Sequence, residues 1–153
     1  MADSQEITEA VCVHTRKIYD SCRDKDCAED LRVYPTVSSQ AYIESAFSVR
    51  PRSAELLYAD VNVSEISFNR GSYTVDVTYF YEVTGTTFPG ENTIRGLCVF
   101  NKRVMLFGSE GTARVFSSDG RYNGSTEQPV AVVECVDPIV LSMKLVEIGR
   151  AHV

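Results

Sequence analysis

The feature that most constrains the fold is a run of twelve residues, 73–84, in which two kinds of side chain alternate. Every second residue from Tyr73 to Val83 is aromatic or β-branched and apolar, and the residues between them are Thr, Asp or Glu, with Phe80 as the exception. Alternation with a period of two places the two sets on opposite faces of a β-strand. The run therefore predicts a long strand with one buried face and one solvent-exposed face.

The chain beyond Tyr42 has the same character. Strand-like segments are separated by short clusters of Gly, Pro, Asn and Asp, with a turn at 69–71 and a turn or bulge at Asn101 and Lys102. The expected strands are 54–63 with a continuation over 64–68, 73–84, 93–100, 103–107, 112–117, 130–136 and 139–146. Many short strands without intervening helices predict an all-β domain over residues 36–146, either a β-sandwich or a jelly-roll-like barrel.

Residues 1–35 form a segment of different character, which we expect to be a mostly non-β N-terminal arm. The segment is polar and charged and contains three of the five cysteines. One or two helical turns over 21–31 and short extended stretches around 11–13 and 31–34 are both compatible with its pattern, and Pro35 ends it.

The last seven residues, 147–153, read EIGRAHV. One reading frame of a widely used sequencing-adapter oligonucleotide encodes the same seven residues, so we expect a non-native tail that arose by adapter read-through. On this interpretation the natural chain continues past Val146, and His152 takes no part in any mechanism.

Composition and motifs exclude several classes of function. The net charge of −6 disfavours nucleic acid as a partner, and no apolar run is long enough to span a membrane. The polar, acidic N-terminus predicts synthesis in the cytoplasm without a signal peptide. His14 is then the one remaining imidazole, and the carboxylates of Asp60, Asp76 and Glu82 are ordinary residues for an exposed strand face. We expect neither enzymatic activity nor a cofactor.

The cysteines of the arm are the strongest candidates for a functional role. Cys12, His14, Cys22 and Cys27 are zinc-ligand types, but their spacing matches no common zinc module, so metal binding is the weaker alternative. Three readings stay open: a disulfide between Cys22 and Cys27, bridges between chains through Cys12, Cys22 and Cys27, and unpaired thiols, which a reducing cytoplasm favours.

Two further groups are expected inside the β domain. Cys98 and Cys135 each fall in a predicted strand and are expected to be small core residues, or a cross-sheet disulfide if their strands face each other. Tyr73, Tyr79 and Tyr81 form an aromatic stripe that is more typical of packing in a sandwich than of ligand binding.

Residues 17–33, 68–81 and 106–111 resemble a family of uncharacterised proteins from clostridia and related endospore-forming bacteria. The resemblance covers most of residues 10–146. It implies a continuation into a cysteine-rich segment and a further β-rich stretch, and it implies no activity. The layout of a β-sandwich with a cysteine-bearing arm is also similar, in architecture alone, to that of endospore appendage subunits.

An open β-sandwich has edge strands that must be blocked or used, and an extended arm from a neighbouring molecule can use them. We therefore predict a self-assembling structural protein, such as a filament or a spore- or cell-surface subunit. It would be a homo-oligomer formed by arm or edge-strand exchange, with residues 1–35 as the connector. The alternative is a ligand- or partner-binding module that uses a sandwich face or the loops at 85–92 and 118–128.

Overall fold

The computed structural model describes residues 18–108, Ser118 and residues 129–146. In chain order the elements are β1 (Val33–Pro35), α1 (Val37–Glu44), β2 (Ser48–Glu65), β3 (Ser72–Phe88) and β4 (Thr93–Phe107). The four strands form one open antiparallel sheet in the order β1-β4-β3-β2. The described part of the chain is thus mostly strand with a single short helix, and it contains one sheet where a sandwich or jelly roll was expected.

The alternating run lies inside β3, as its period predicted. Tyr73, Val75, Val77 and Val83 are buried, and the Thr, Asp and Glu residues between them lie on the other face. We call the face that carries these buried residues the covered face and the opposite one the outer face. Neighbouring strands add apolar side chains to the covered face, including Ile94 and Cys98 of β4.

The turn predicted at 69–71 is confirmed. It joins β2 to β3 through hydrogen bonds from Ile66 N to Ser72 O (3.1 Å) and from Ser72 N to Asn69 O (3.2 Å). Gly71 has a φ of +85°, a conformation that a residue with a Cβ rarely adopts. The local sequence therefore fixes where this hairpin reverses.

The strands are longer than the sequence pattern indicated. β4 runs without interruption through Asn101 and Lys102, where we expected a turn or bulge. Asn101 lies opposite Thr78 of β3, whose hydroxyl donates to Asn101 Oδ1 at 2.8 Å. The polar dipeptide is accommodated because each side chain has a partner, so it does not interrupt the strand. Likewise, residues 85–88, assigned to a loop, belong to β3.

Helix α1 was not predicted. Thr36 is its N-cap, and the Thr36 side chain accepts a hydrogen bond from Ser39 N at 3.3 Å. Ser39 is buried, and its hydroxyl oxygen accepts a hydrogen bond from Arg95 N at 2.9 Å. The helix is therefore attached to the beginning of β4, next to β1.

Two segments without helix or strand lie against the covered face: residues 18–32, the first covering segment, and residues 129–146, the second covering segment. The helical turns that were one alternative for residues 21–31 are not present, and the strands expected over 130–136 and 139–146 are wrong. A strand needs a neighbour for its backbone N–H and C=O groups, and neither segment pairs with a described strand. The expected strand at 112–117 lies outside the described residues.

The core is small because only part of the covered face is closely packed. Ala54, Val83 and Cys98 form a buried cluster, and the second covering segment adds Val140 and Met143 to it. Elsewhere the two covering segments and the sheet line a space of about 3720 Å³. Within the described residues, no helix has the length and apolar character needed to cross a membrane.

Candidate functional site

The first covering segment is held to β4 by the side chains of its aspartates. Asp20 Oδ2 accepts a hydrogen bond from Phe107 N at 2.9 Å, at the end of β4. Farther along, the Lys102 ammonium group donates to the carboxylates of both Asp24 and Asp26. Side-chain contacts therefore attach this part of the N-terminal arm, in place of a hydrogen-bonded ladder.

Lys102 is the centre of that attachment. It occupies a position on the covered face of β4, two residues from Phe100 and two from Val104, and its side chain is only 17% exposed. Its hydrogen bonds to Asp24 and Asp26 raise the pKa of Lys102. The bond from Lys102, more than any other contact, lowers the pKa of Asp24. Both shifts favour the charged forms, so the cluster is an ion pair at neutral pH.

The sequence contains a signal for this cluster. Lys102 interrupts an alternating series of covered-face residues in β4, and a cation at such a position needs a carboxylate partner. The acidic run from Asp20 to Asp30 provides several. What the sequence alone does not show is that these distant residues meet.

The cysteines divide into exposed and buried thiols. Cys22 and Cys27 lie exposed on the first covering segment, and neither is in a disulfide. Cys98 is 4% exposed, inside the core cluster, and burial raises the pKa of its thiol. Cys135 is exposed on the second covering segment and is not in a disulfide, so it is not a core residue.

Part of the predicted cysteine cluster cannot be placed, since Cys12 and His14 lie outside the described residues. Among residues 18–108, 118 and 129–146, no three His, Cys, Asp or Glu side chains form a group able to hold a metal ion. In that part of the chain the structure therefore gives no support to the weaker alternative of a zinc site.

The aromatic stripe lies on the covered face, beneath the two segments. The Tyr79 ring stacks on Tyr81 at a centroid distance of 6.0 Å and on Phe100 at 6.1 Å. Burial raises the pKa of the Tyr79 hydroxyl, and the thiols of Cys135 and Cys22 act in the same direction. One exposed cysteine from each covering segment therefore lies within electrostatic range of Tyr79.

Above the aromatic stripe, the described residues do not form a pocket of small-ligand size. The space above the aromatic stripe is several times larger than the 300–1,000 Å³ of a typical ligand site. On the outer face, Asp76 forms an ion pair with Arg103 at 2.6 Å, so this carboxylate is part of an ordinary surface pair. Of the loops considered for binding, 85–92 is reduced to a tight turn after Phe88, and 118–128 is described only at Ser118.

The chain matches no protein-family model, and no curated protein and no solved structure is detectably similar to it. The resemblance to the clostridial family therefore stays a prediction.

Proposed function

We propose that this protein is a self-assembling structural subunit, such as a filament or spore-surface component, whose N-terminal arm joins one subunit to the next. The observation that supports this most directly is the position of Cys22 and Cys27. Both are exposed thiols on a segment whose Asp20, Asp24 and Asp26 side chains bind β4.

The contacts of the arm can be exchanged between molecules. Lys102 and the N–H of Phe107 bind carboxylates, and a carboxylate from the arm of a neighbouring copy would satisfy them equally well. Exchange of an identical element between subunits creates no new type of contact, so it costs little. The same sheet that binds its own arm can thus receive the arm of a neighbour.

Disulfides would make such a junction permanent. Two thiols on different chains form one S–S bond, release two protons and pass two electrons to an oxidant such as glutathione disulfide, which becomes two glutathione thiols. Because Cys22 and Cys27 are exposed, an oxidant and a second chain can reach both. The arm would then assemble reversibly under reducing conditions and irreversibly under oxidising ones.

The test is a measurement of particle mass and shape with and without glutathione disulfide. We expect the wild-type chain to form covalent oligomers on non-reducing gels and extended particles by negative-stain microscopy. Replacing Cys12, Cys22 and Cys27 by Ser should abolish the covalent species. The matched control is Cys135→Ser, which removes an exposed thiol outside the arm and should leave them intact.

Two results would contradict the proposal. A wild-type chain that stays monomeric under oxidising conditions has no connector. Covalent oligomers that persist in the triple Ser variant and disappear in Cys135→Ser would place the junction on the second covering segment instead of the arm.

A further inference from the structure

The outer edge of β2 is the longest unpaired strand edge in the described part of the chain. β2 pairs with β3 along one side over Ser48–Glu65, and no described strand lies along its other side. Natural proteins block such edges or use them, because a row of free N–H and C=O groups templates another strand. Which of its residues are blocked and which are open decides what the edge can bind.

The backbone groups that point outward follow from the register. Ile66 N donates to Ser72 O, so after the bulge between Leu56 and Tyr58 the even-numbered residues exchange hydrogen bonds with β3. Before the bulge the odd-numbered residues exchange these hydrogen bonds, and the even-numbered ones point outward. The Leu56 N–H, which donates to Asp137 Oδ1 at 2.9 Å, agrees with this assignment. The residues whose N–H and C=O face outward are then Ala59, Val61, Val63 and Glu65.

The first half of this edge is blocked. Pro51 has no N–H to donate, and a register shift separates it from Ser53. The outward N–H of Leu56 is already bonded to Asp137 of the second covering segment. The second half, from Tyr58 to Glu65, contains neither a proline nor a bulge. As far as the described residues show, the part of the edge that is open to another strand is therefore residues 58–65.

We propose that residues 58–65 pair antiparallel with the same residues of a second copy, about a two-fold axis at Asn62. This inference rests on the proposed self-association and names one surface for it. Among the registers that parity allows, this one uses all four outward-facing residues. It pairs Asn62 with Asn62, Val61 with Val63, Asp60 with Ser64, and Ala59 with Glu65 of the second copy.

The side chains suit that register. No two like charges lie opposite each other, and the Val61–Val63 pairs extend the apolar covered face from one copy into the next. Each hydrogen-bonded pair exchanges two N–H···O bonds, so the interface contains about eight of them. The result is a single antiparallel sheet of twice the width, which conceals the open edge of both copies.

The experiment introduces a charged residue at the two-fold axis and tests whether the opposite charge compensates for it. Particle mass is measured by light scattering with a thiol reductant present throughout. We expect the wild-type chain to be a dimer. Asn62→Lys and Asn62→Glu each place like charges opposite each other and should raise the dissociation constant by about tenfold or more. An equimolar mixture of the two variants should restore the dimer, because Lys then lies opposite Glu.

Met105→Lys is the matched control, since Met105 is 63% exposed on the outer face of β4, away from the β2 edge, and the variant should remain dimeric. Ser64→Lys is expected to strengthen the dimer. In the proposed register the new ammonium group would lie opposite Asp60 of the second copy, so the dissociation constant should fall. Circular dichroism verifies that each variant retains its sheet.

The outcomes separate this inference from the proposed function. Three results would overturn the edge dimer: the wild-type chain is a monomer in reductant, both Asn62 variants are dimers, or the mixture of the two variants does not form dimers. Each result counts whether or not disulfide-linked oligomers form on oxidation. A reductant-resistant dimer that behaves as expected, without oligomers on oxidation, supports the edge pairing and contradicts the arm as connector.

Discussion

Truncation of Val83 to alanine tests whether the second covering segment closes a core over the sheet. Val83 is 7% exposed and packs with Ala54 and Cys98 from the sheet and with Val140 and Met143 from that segment. Val→Ala removes the equivalent of two CH₂ groups, and each contributes about 0.8 kcal/mol to the free energy of unfolding when buried. The cavity left behind adds to this loss, so we expect the free energy of unfolding to fall by about 2 kcal/mol.

The assay is urea denaturation followed by far-ultraviolet circular dichroism, because the chain contains no Trp to serve as a fluorescent reporter. The control is Val136→Ala, the same truncation at a residue of the second covering segment that is 89% exposed. We expect it to change the free energy of unfolding by less than about 0.5 kcal/mol. Equal losses in the two variants, or no loss in Val83→Ala, would refute the packing described for this face.

Three further predictions concern the attachments of the arm and of the short helix. Gly96→Ala should lower the free energy of unfolding by about 1–3 kcal/mol in the same urea assay, because the added Cβ would lie 2.5 Å from Val33 Cγ1 and displace β1. Thr36→Ala should cost about 1 kcal/mol, since the helix loses its N-cap acceptor, and a loss below the error of the measurement would contradict that role. The bond from Lys102 lowers the pKa of Asp24, so its stabilising effect is present above the unfolded-state value of about 4 and is lost as pH falls through the folded value. Hydrogen exchange over residues 18–32, corrected for intrinsic rates, should therefore accelerate more between about pH 5 and pH 3 in the wild type than in Lys102→Met.

The sheet itself was largely predictable, because the information for it is local. Alternation over 73–84 identified β3 and its buried face, and the Gly71 turn located the reversal before it. The strand ends were less accurate. Thr78 and Asn101 sustain β4 where composition indicated a turn, through a hydrogen bond between residues 23 positions apart.

The second covering segment explains why the sequence predicted a sandwich, whereas the described residues form a single sheet. Residues 130–136 are rich in Val and alternate as a strand would, and Val130, Val132 and Val136 remain exposed. An alternating pattern indicates that a segment is compatible with a β-strand. To form one, the segment also needs a neighbouring strand with free backbone groups. That neighbour is a property of the tertiary structure, and no pattern within the segment encodes it.

The candidate site was predictable only in part for the same reason. The cysteines drew attention to the arm, yet the contacts that hold the arm involve Lys102 and Asp24, which are 78 positions apart. Helix α1 was missed because eight residues are too few for a helical period to stand out. Its start signal, Thr36 directly after Pro35, was present in the sequence.

The strand order β1-β4-β3-β2 has a consequence for valency. It places β2 at one edge of the sheet and β1, into which the arm leads, at the other. A dimer joined through β2 would therefore carry two arms at its far ends and act as a divalent building block. Growth would then alternate between two kinds of junction, one made of backbone hydrogen bonds and indifferent to redox state, the other dependent on thiols. Reduction of such a polymer would release dimers, and monomers would appear only on dilution.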